Sequence, residues 1–115
     1  VASINYFDSV VDVIADDTRA VNWQSALAQT QDFFRLFMVP GMGHCAGGPG
    51  PDRFDALTAL ENWVERDIAP ESIIASKIVG GEVVRTRPLC VYPEVANYNG
   101  SGNTDEAANF RCVAP

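Results

Sequence analysis

What the sequence lacks narrows it first. No apolar run approaches the roughly 20 residues that span a bilayer, so no membrane-crossing helix is expected. Positive charge is scarce: 8 basic residues stand against 15 acidic ones, for a formal net charge of −7, and the basic residues are scattered. A chain of that balance is poorly suited to a phosphate backbone or an anionic membrane surface, so neither nucleic acid nor membrane is an expected partner. Lysine occurs once, at Lys77, and histidine once, at His44. No Gly-x-Ser-x-Gly turn presents a nucleophilic serine, no Gly-Lys-Ser/Thr loop cradles a phosphate, and no internal repeat or second domain is evident. No signal peptide is expected in this stretch either. Val1 stands in mid-pattern, which reads as the residue left after processing or truncation.

What is present suffices for one modest domain or a piece of a larger one: 115 residues, 47% of them hydrophobic and 10% aromatic. Three cysteines and the sequon Asn99-Gly100-Ser101, with Asn99 as a glycosylation candidate, point to an extracellular or periplasmic location. The odd count leaves one cysteine without a partner in the chain. Cys90 and Cys112 flank a run of turn-formers and are expected to pair. Closing a loop of about 23 residues would remove about 3 kcal/mol of unfolded-state entropy. Cys45 remains, and its partner is expected on sequence outside this chain.

The chain is organised around Phe34 to Pro51. Phe33 to Val39 is apolar enough for a buried strand of a parallel sheet and stops at Pro40, which has no N–H to give. Five glycines and three prolines follow within Pro40 to Pro51, surrounding His44. A lone histidine is most often an ordinary core or surface imidazole. Here Gly41, Gly43, Gly47 and Gly48 leave the ring room to meet a partner, which favours a general acid/base role. Gly41-Met42-Gly43-His44-Cys45-Ala46 also fits a dinucleotide fingerprint, but Gly47-Gly48-Pro49-Gly50-Pro51 forbids the helix that fingerprint requires. Consecutive His44 and Cys45 rarely reach one metal ion, and Cys45 as a nucleophile beside His44 suffers because neighbouring side chains diverge.

Around this loop the periodicity predicts a helix from Ser3, as N-cap, to about Ala15, then a short helical piece near Trp23, Ala26 and Leu27. Asp52 is expected to cap a helix from about Arg53 to Arg66, with Phe54, Leu57, Leu60, Trp63 and Val64 on its apolar face. Phe34, Phe37, Phe54 and Trp63 read as core. Ile73 to Ala75 and Val83 to Arg87 read as strands of a hairpin turned at Gly80-Gly81. Beyond Pro88 little regular structure is expected. Asp8 and Asp12 precede His44 in the order a triad acid requires, but both fall on the first helix and read as solvated side chains.

Arg35 to Cys45, Gly47-Gly48, Asp55-Ala56-Leu57, Trp63-Val64-Glu65, Arg85 to Cys90 and Tyr92-Pro93 together closely resemble the carboxyl-terminal part of the tannase and feruloyl esterase family. The resemblance covers nearly the whole chain from about Ile4. It implies an α/β class chain, the C-terminal portion of an α/β-hydrolase fold: a βα unit carrying the histidine loop, a short hairpin and a disulfide-closed tail. By the same resemblance residues 1–115 form one segment of a catalytic domain whose nucleophile, acid and lid lie elsewhere. The implied activity is that of a secreted serine esterase acting on esters of phenolic or aromatic acids through a Ser-Asp-His triad. His44 matches the family's catalytic histidine. Cys45 matches a cysteine bridged to the one beside the nucleophilic serine, and Cys90 with Cys112 matches a C-terminal bridge. No cofactor is implied for this segment, and calcium is implied only for the absent lid. The isolated chain is then expected to be inactive. The competing expectation is a non-catalytic secreted binding module, or an inactive remnant, that uses the Gly/Pro loop as a surface.

Overall fold

The structure, a computed structural model, describes residues 2–115 and divides into two compact units, one through Leu36 and one from Phe37 to Pro115. In the first, α1 (Ala2–Thr18) packs on α2 (Trp23–Gln31). The three-and-four spacing of Phe7 and Val11 puts both on one stripe, and both are fully buried, as are Ala26 and Thr30 of α2. Thr30 satisfies its hydroxyl locally by donating to Ala26 O at 2.9 Å. The ring of Phe34 lies 5.2 Å from that of Phe7. Asn22 caps α2, its side chain accepting from Ser25 N–H at 2.9 Å. The first helix already includes Ala2, so Ser3 lies in its first turn and is not its cap.

The second unit holds α3 (Ala56–Arg66) and two antiparallel two-stranded sheets, β1–β2 (Ser72–Val79 and Glu82–Cys90) and β3–β4 (Val95–Tyr98 and Phe110–Val113). Gly80 and Gly81, both at positive φ, make the tight β1–β2 turn, whose handedness matches the twist of the paired strands. The apolar run Phe33 to Val39 forms no ladder. Its single pairing is the antiparallel bridge of Phe37 with Val91, and the described residues contain no parallel sheet. Apolar character favours extended backbone, but a strand also needs a neighbouring strand to take its amides and carbonyls, and here Val91 supplies a single bridge.

The segment after Pro88 is more regular than its composition suggests. β3 and β4 pair from Val95↔Val113 to Tyr98↔Phe110, and Cys90 is joined to Cys112 with Cα atoms 5.6 Å apart. Side chains rather than apolar bulk order this region. Arg85 Nε pairs with Asp105 Oδ1 at 2.5 Å, Arg87 donates to Thr104 O at 2.8 Å, and its guanidinium sits 3.7 Å over the Phe110 ring. Thr86 N–H donates to Asp105 O while its hydroxyl accepts from Ala107 N–H, both at 2.8 Å.

The third helix starts later than its sequence pattern suggests. Asp55, not Asp52, is the N-cap, accepting from Thr58 N–H at 2.9 Å and Thr58 Oγ1 at 2.7 Å. At the other end Asp67 takes a left-handed conformation and its N–H donates to Trp63 O at 3.1 Å, closing the helix with an αL cap, while Ile68 N–H donates to Asn62 O at 3.1 Å. The helix is amphipathic yet buries none of its residues. Leu57, Leu60 and Val64 are 66%, 54% and 76% exposed. Phe54 is exposed too, and Trp63, Phe34 and Phe37 are only half-buried, so none of the four is a core residue in this structure.

Candidate active site

His44 stands on a loop that the glycines fold back on itself. Pro40 and Gly41 form a type II turn, with Gly41 at φ 77° and Met42 N–H donating to Val39 O at 3.3 Å. Gly50 N–H then donates to Gly41 O at 2.9 Å, and Gly43 N–H to Gly47 O at 2.8 Å. The two limbs are so close that a Cβ on Gly48 would overlap the Gly41 carbonyl oxygen, and one on Gly50 the Pro40 carbonyl oxygen. Glycine is demanded at both by that close approach of backbone.

At the tip between Gly43 and Gly47, His44 and Cys45 are both exposed. Nδ1 of His44 lies 3.0 Å from Cys45 Sγ, and Cys45 carries a free thiol on a residue with φ 69°. No serine or carboxylate hydrogen-bonds the imidazole among the described residues. Asp8 and Asp12 lie on α1, in the other compact unit. Asp12 is solvated, whereas Asp8 is half-buried, with Oδ1 covered and without a hydrogen-bond partner.

Asp52 was expected to open a helix; it grips the loop instead. Its Oδ2 accepts from Gly47 N–H at 2.7 Å, and its Oδ1 lies 3.7 Å from Lys77 Nζ. Lys77 in turn donates to Gly48 O at 2.6 Å. The Gly47 amide is the main cause that holds the Asp52 carboxyl below its ordinary pKa; desolvation opposes it, and Lys77 and Arg53 add to it. The sequence could have freed Asp52 from the helix cap, but it did not mark the grip itself. The apolar stripe of α3 begins at Leu57, which favours Asp55-x-x-Thr58 as the capping pair, whereas only the tertiary structure brings Lys77 beside the loop.

Cys90 and Cys112 lie at the β2–β4 junction. Asn99 is exposed just after β3, with its backbone N–H held by Asn109 O at 2.8 Å. Among the described residues no group of three or more His, Cys, Asp or Glu side chains converges to hold a metal ion, and no helix is long and apolar enough to cross a membrane.

A sequence model of the family described as tannase and feruloyl esterase matches residues 1–113. An uncharacterized esterase of Xanthomonas campestris pv. campestris is 47% identical over 131 residues, covering 96% of this chain and 23% of that protein. The mono(2-hydroxyethyl) terephthalate hydrolase of Piscinibacter sakaiensis is 55% identical over 94 residues, covering 79% of this chain and 16% of the hydrolase. Among solved structures, the tannin acyl hydrolase from Aspergillus niger matches with a TM-score of 0.73 at 26% identity, over 99% of this chain and 20% of that one. The chain thus spans less than a quarter of the length of each of these relatives. With a match along nearly its whole length, this chain belongs to the tannase and feruloyl esterase family.

Proposed function

We propose that residues 1–115 are the C-terminal segment of one α/β-hydrolase catalytic domain in a secreted serine esterase that hydrolyses esters of phenolic or aromatic acids. The observation that carries this reading is an exposed imidazole at the tip of a backbone-locked loop in a member of this family. The exposed apolar faces of α3 and of the β1–β2 hairpin, where Ile74, Val79 and Val83 are all more than half exposed, suit a segment packed against further protein. Disulfide bonding and the exposed Asn99 sequon agree with secretion and glycosylation.

In this proposal His44 is the general base of a Ser-Asp-His triad whose serine and aspartate lie outside the chain. One ring nitrogen accepts the serine proton as the oxygen attacks the ester carbonyl, then returns it to the leaving alcohol. Water, deprotonated by the same nitrogen, releases the acid and regenerates the serine. The other nitrogen must be free to donate to the aspartate. With a reduced Cys45 thiol 3.0 Å away, Nδ1 has a competing neighbour. A disulfide from Cys45 to a cysteine beside the nucleophilic serine removes the thiol proton and ties base and nucleophile together, since bridged Cα atoms sit only about 4.4–6.8 Å apart. Calcium belongs, in this reading, to the lid, and no residue of this chain is assigned to it. The isolated chain is inactive because His44 alone has no nucleophile to activate.

Peptide mapping of the native protein, with and without reductant, tests the assignment. The Cys45 peptide is expected to be joined to an outside peptide with serine next to its cysteine. Cys45 found free, or paired with Cys90 or Cys112, rejects it. In the full esterase His44→Ala is expected to lower kcat on ethyl ferulate or methyl gallate by about 10⁴-fold with unchanged folding.

A further inference from the structure

We propose that Asp52 and Lys77 are positioning residues for His44, a two-residue bracket that fixes the outgoing limb of the histidine loop to β1 without touching the imidazole. The inference rests on the reading of His44 as general base. The need for a bracket follows from composition. A loop rich in glycine has the widest backbone freedom of any sequence, and glycines carry no side chain with which to hold themselves. A base that drifts by about 1 Å can cost about 100-fold in rate, so a histidine on such a loop has to be restrained from elsewhere.

The restraint is built from three backbone hydrogen bonds, two side-chain hydrogen bonds and one ion pair. Asp52 and Arg53 both donate backbone N–H groups to Ser76 O at 3.1 Å, and Ser76 N–H donates to Arg53 O at 2.7 Å. That fixes Asp52 beside Lys77, the next residue of β1. From there the Asp52 carboxylate reaches back to Gly47 N–H, and the Lys77 ammonium to Gly48 O, while the two charges face each other at 3.7 Å. The Asp52 side chain is 7% exposed and that of Lys77 20%, so their ion pair is not a fully solvated surface pair. Arg53, 65% exposed and 4.0 Å from Asp52, is such a pair and is not part of the bracket. The grip falls two and three residues past Cys45, and the Gly43–Gly47 hydrogen bond carries it to the incoming limb. His44 is left exposed, and the bracket reaches it through backbone alone. Lysine occurs nowhere else in the chain.

The test uses the esterase that contains this chain, with His44→Ala, Asp52→Ala, Lys77→Met and Lys77→Arg, read by kcat, KM and thermal midpoint on ethyl ferulate. Asp52→Ala and Lys77→Met are expected to lower kcat by about 10- to 100-fold with KM within about threefold. Lys77→Arg, which keeps both the donor and the charge, should restore most of the loss. In the same esterase the two disabling variants should remove exchange protection from the Gly47 amide and broaden the His44 ring resonances in NMR spectra. If His44→Ala is inactive while folded Asp52→Ala and Lys77→Met keep kcat within twofold of the parent, the bracket is not a positioning device. The same conclusion follows if the variants lower the thermal midpoint but leave the His44 resonances unmoved. Activity surviving in His44→Ala would instead overturn the general-base reading itself. Lys77→Met guards against an Asp52→Ala variant that fails to fold.

Discussion

Gly43 and Gly47 join their backbones across the base of a five-residue turn, N–H to carbonyl at 2.8 Å, with His44 and Cys45 at its tip. The turn closes because three more glycines and three prolines on its flanks bring two stretches of main chain closer than any Cβ permits. Gly48→Ala and Gly50→Ala should therefore disorder the loop, since each new methyl overlaps a carbonyl oxygen. Gly47→Ala meets nothing within 4 Å and bears only the left-handed backbone, at φ 74°, a cost of about 1–2 kcal/mol. Thermal unfolding of the three variants should rank Gly47→Ala as the mildest. A Gly48→Ala chain as stable as the parent would show that the limbs are not in contact.

Reduction of the Cys90–Cys112 bond releases a loop with a sequence separation of 22 and should cost about 3 kcal/mol of stability. The effect should be local. Amides of β3 and β4, whose order depends on that bond and on the Arg85–Asp105 and Arg87–Phe110 contacts, should lose exchange protection first, while α1 and α2 stay protected. Hydrogen exchange with and without reductant measures this. Equal loss of protection in both units would refute the local character of the bond.

Acid should loosen the histidine loop before it unfolds the helices. Asp52 and Asp55 both have pKa values lowered from 3.8, Asp52 chiefly by the Gly47 amide and Asp55 chiefly by the Thr58 amide. A folded-state pKa below the unfolded value means stability that is full above the unfolded pKa and lost as pH falls through the folded one. The thermal midpoint should thus be flat from neutral pH down to about 4 on account of these two groups, then fall. Asp52→Asn should flatten the acid limb, and the Gly47 amide resonance should titrate with it in the parent. An acid limb unchanged in Asp52→Asn and Asp55→Asn variants would place the linkage elsewhere.

Much of the local structure was legible in the residues. The three-and-four stripes of α1 and α3, the Gly80-Gly81 turn and the glycine-rich loop around the only histidine depend on neighbours close in sequence, where period and turn chemistry act. The site's support was not legible. Asp52 read as a helix cap because a carboxylate before an apolar stripe usually is one. Only the pairing of Arg53 with Ser76 turns it toward Gly47 and brings Lys77 to Gly48.

By itself, then, the sequence determined the helices, the hairpin and the exposure of His44 on a loop too rich in glycine and proline to become helix or strand. Tertiary structure decided the rest. Phe33 to Val39 has strand composition but forms one bridge, because a ladder is a property of two chain segments and not of one. The tail beyond Pro88 has loop composition but forms β3 and β4, because a disulfide and two arginines supply across space the restraint its own side chains lack. The apolar face of α3 was written in its period, yet nothing local to the helix could say whether that face would be covered.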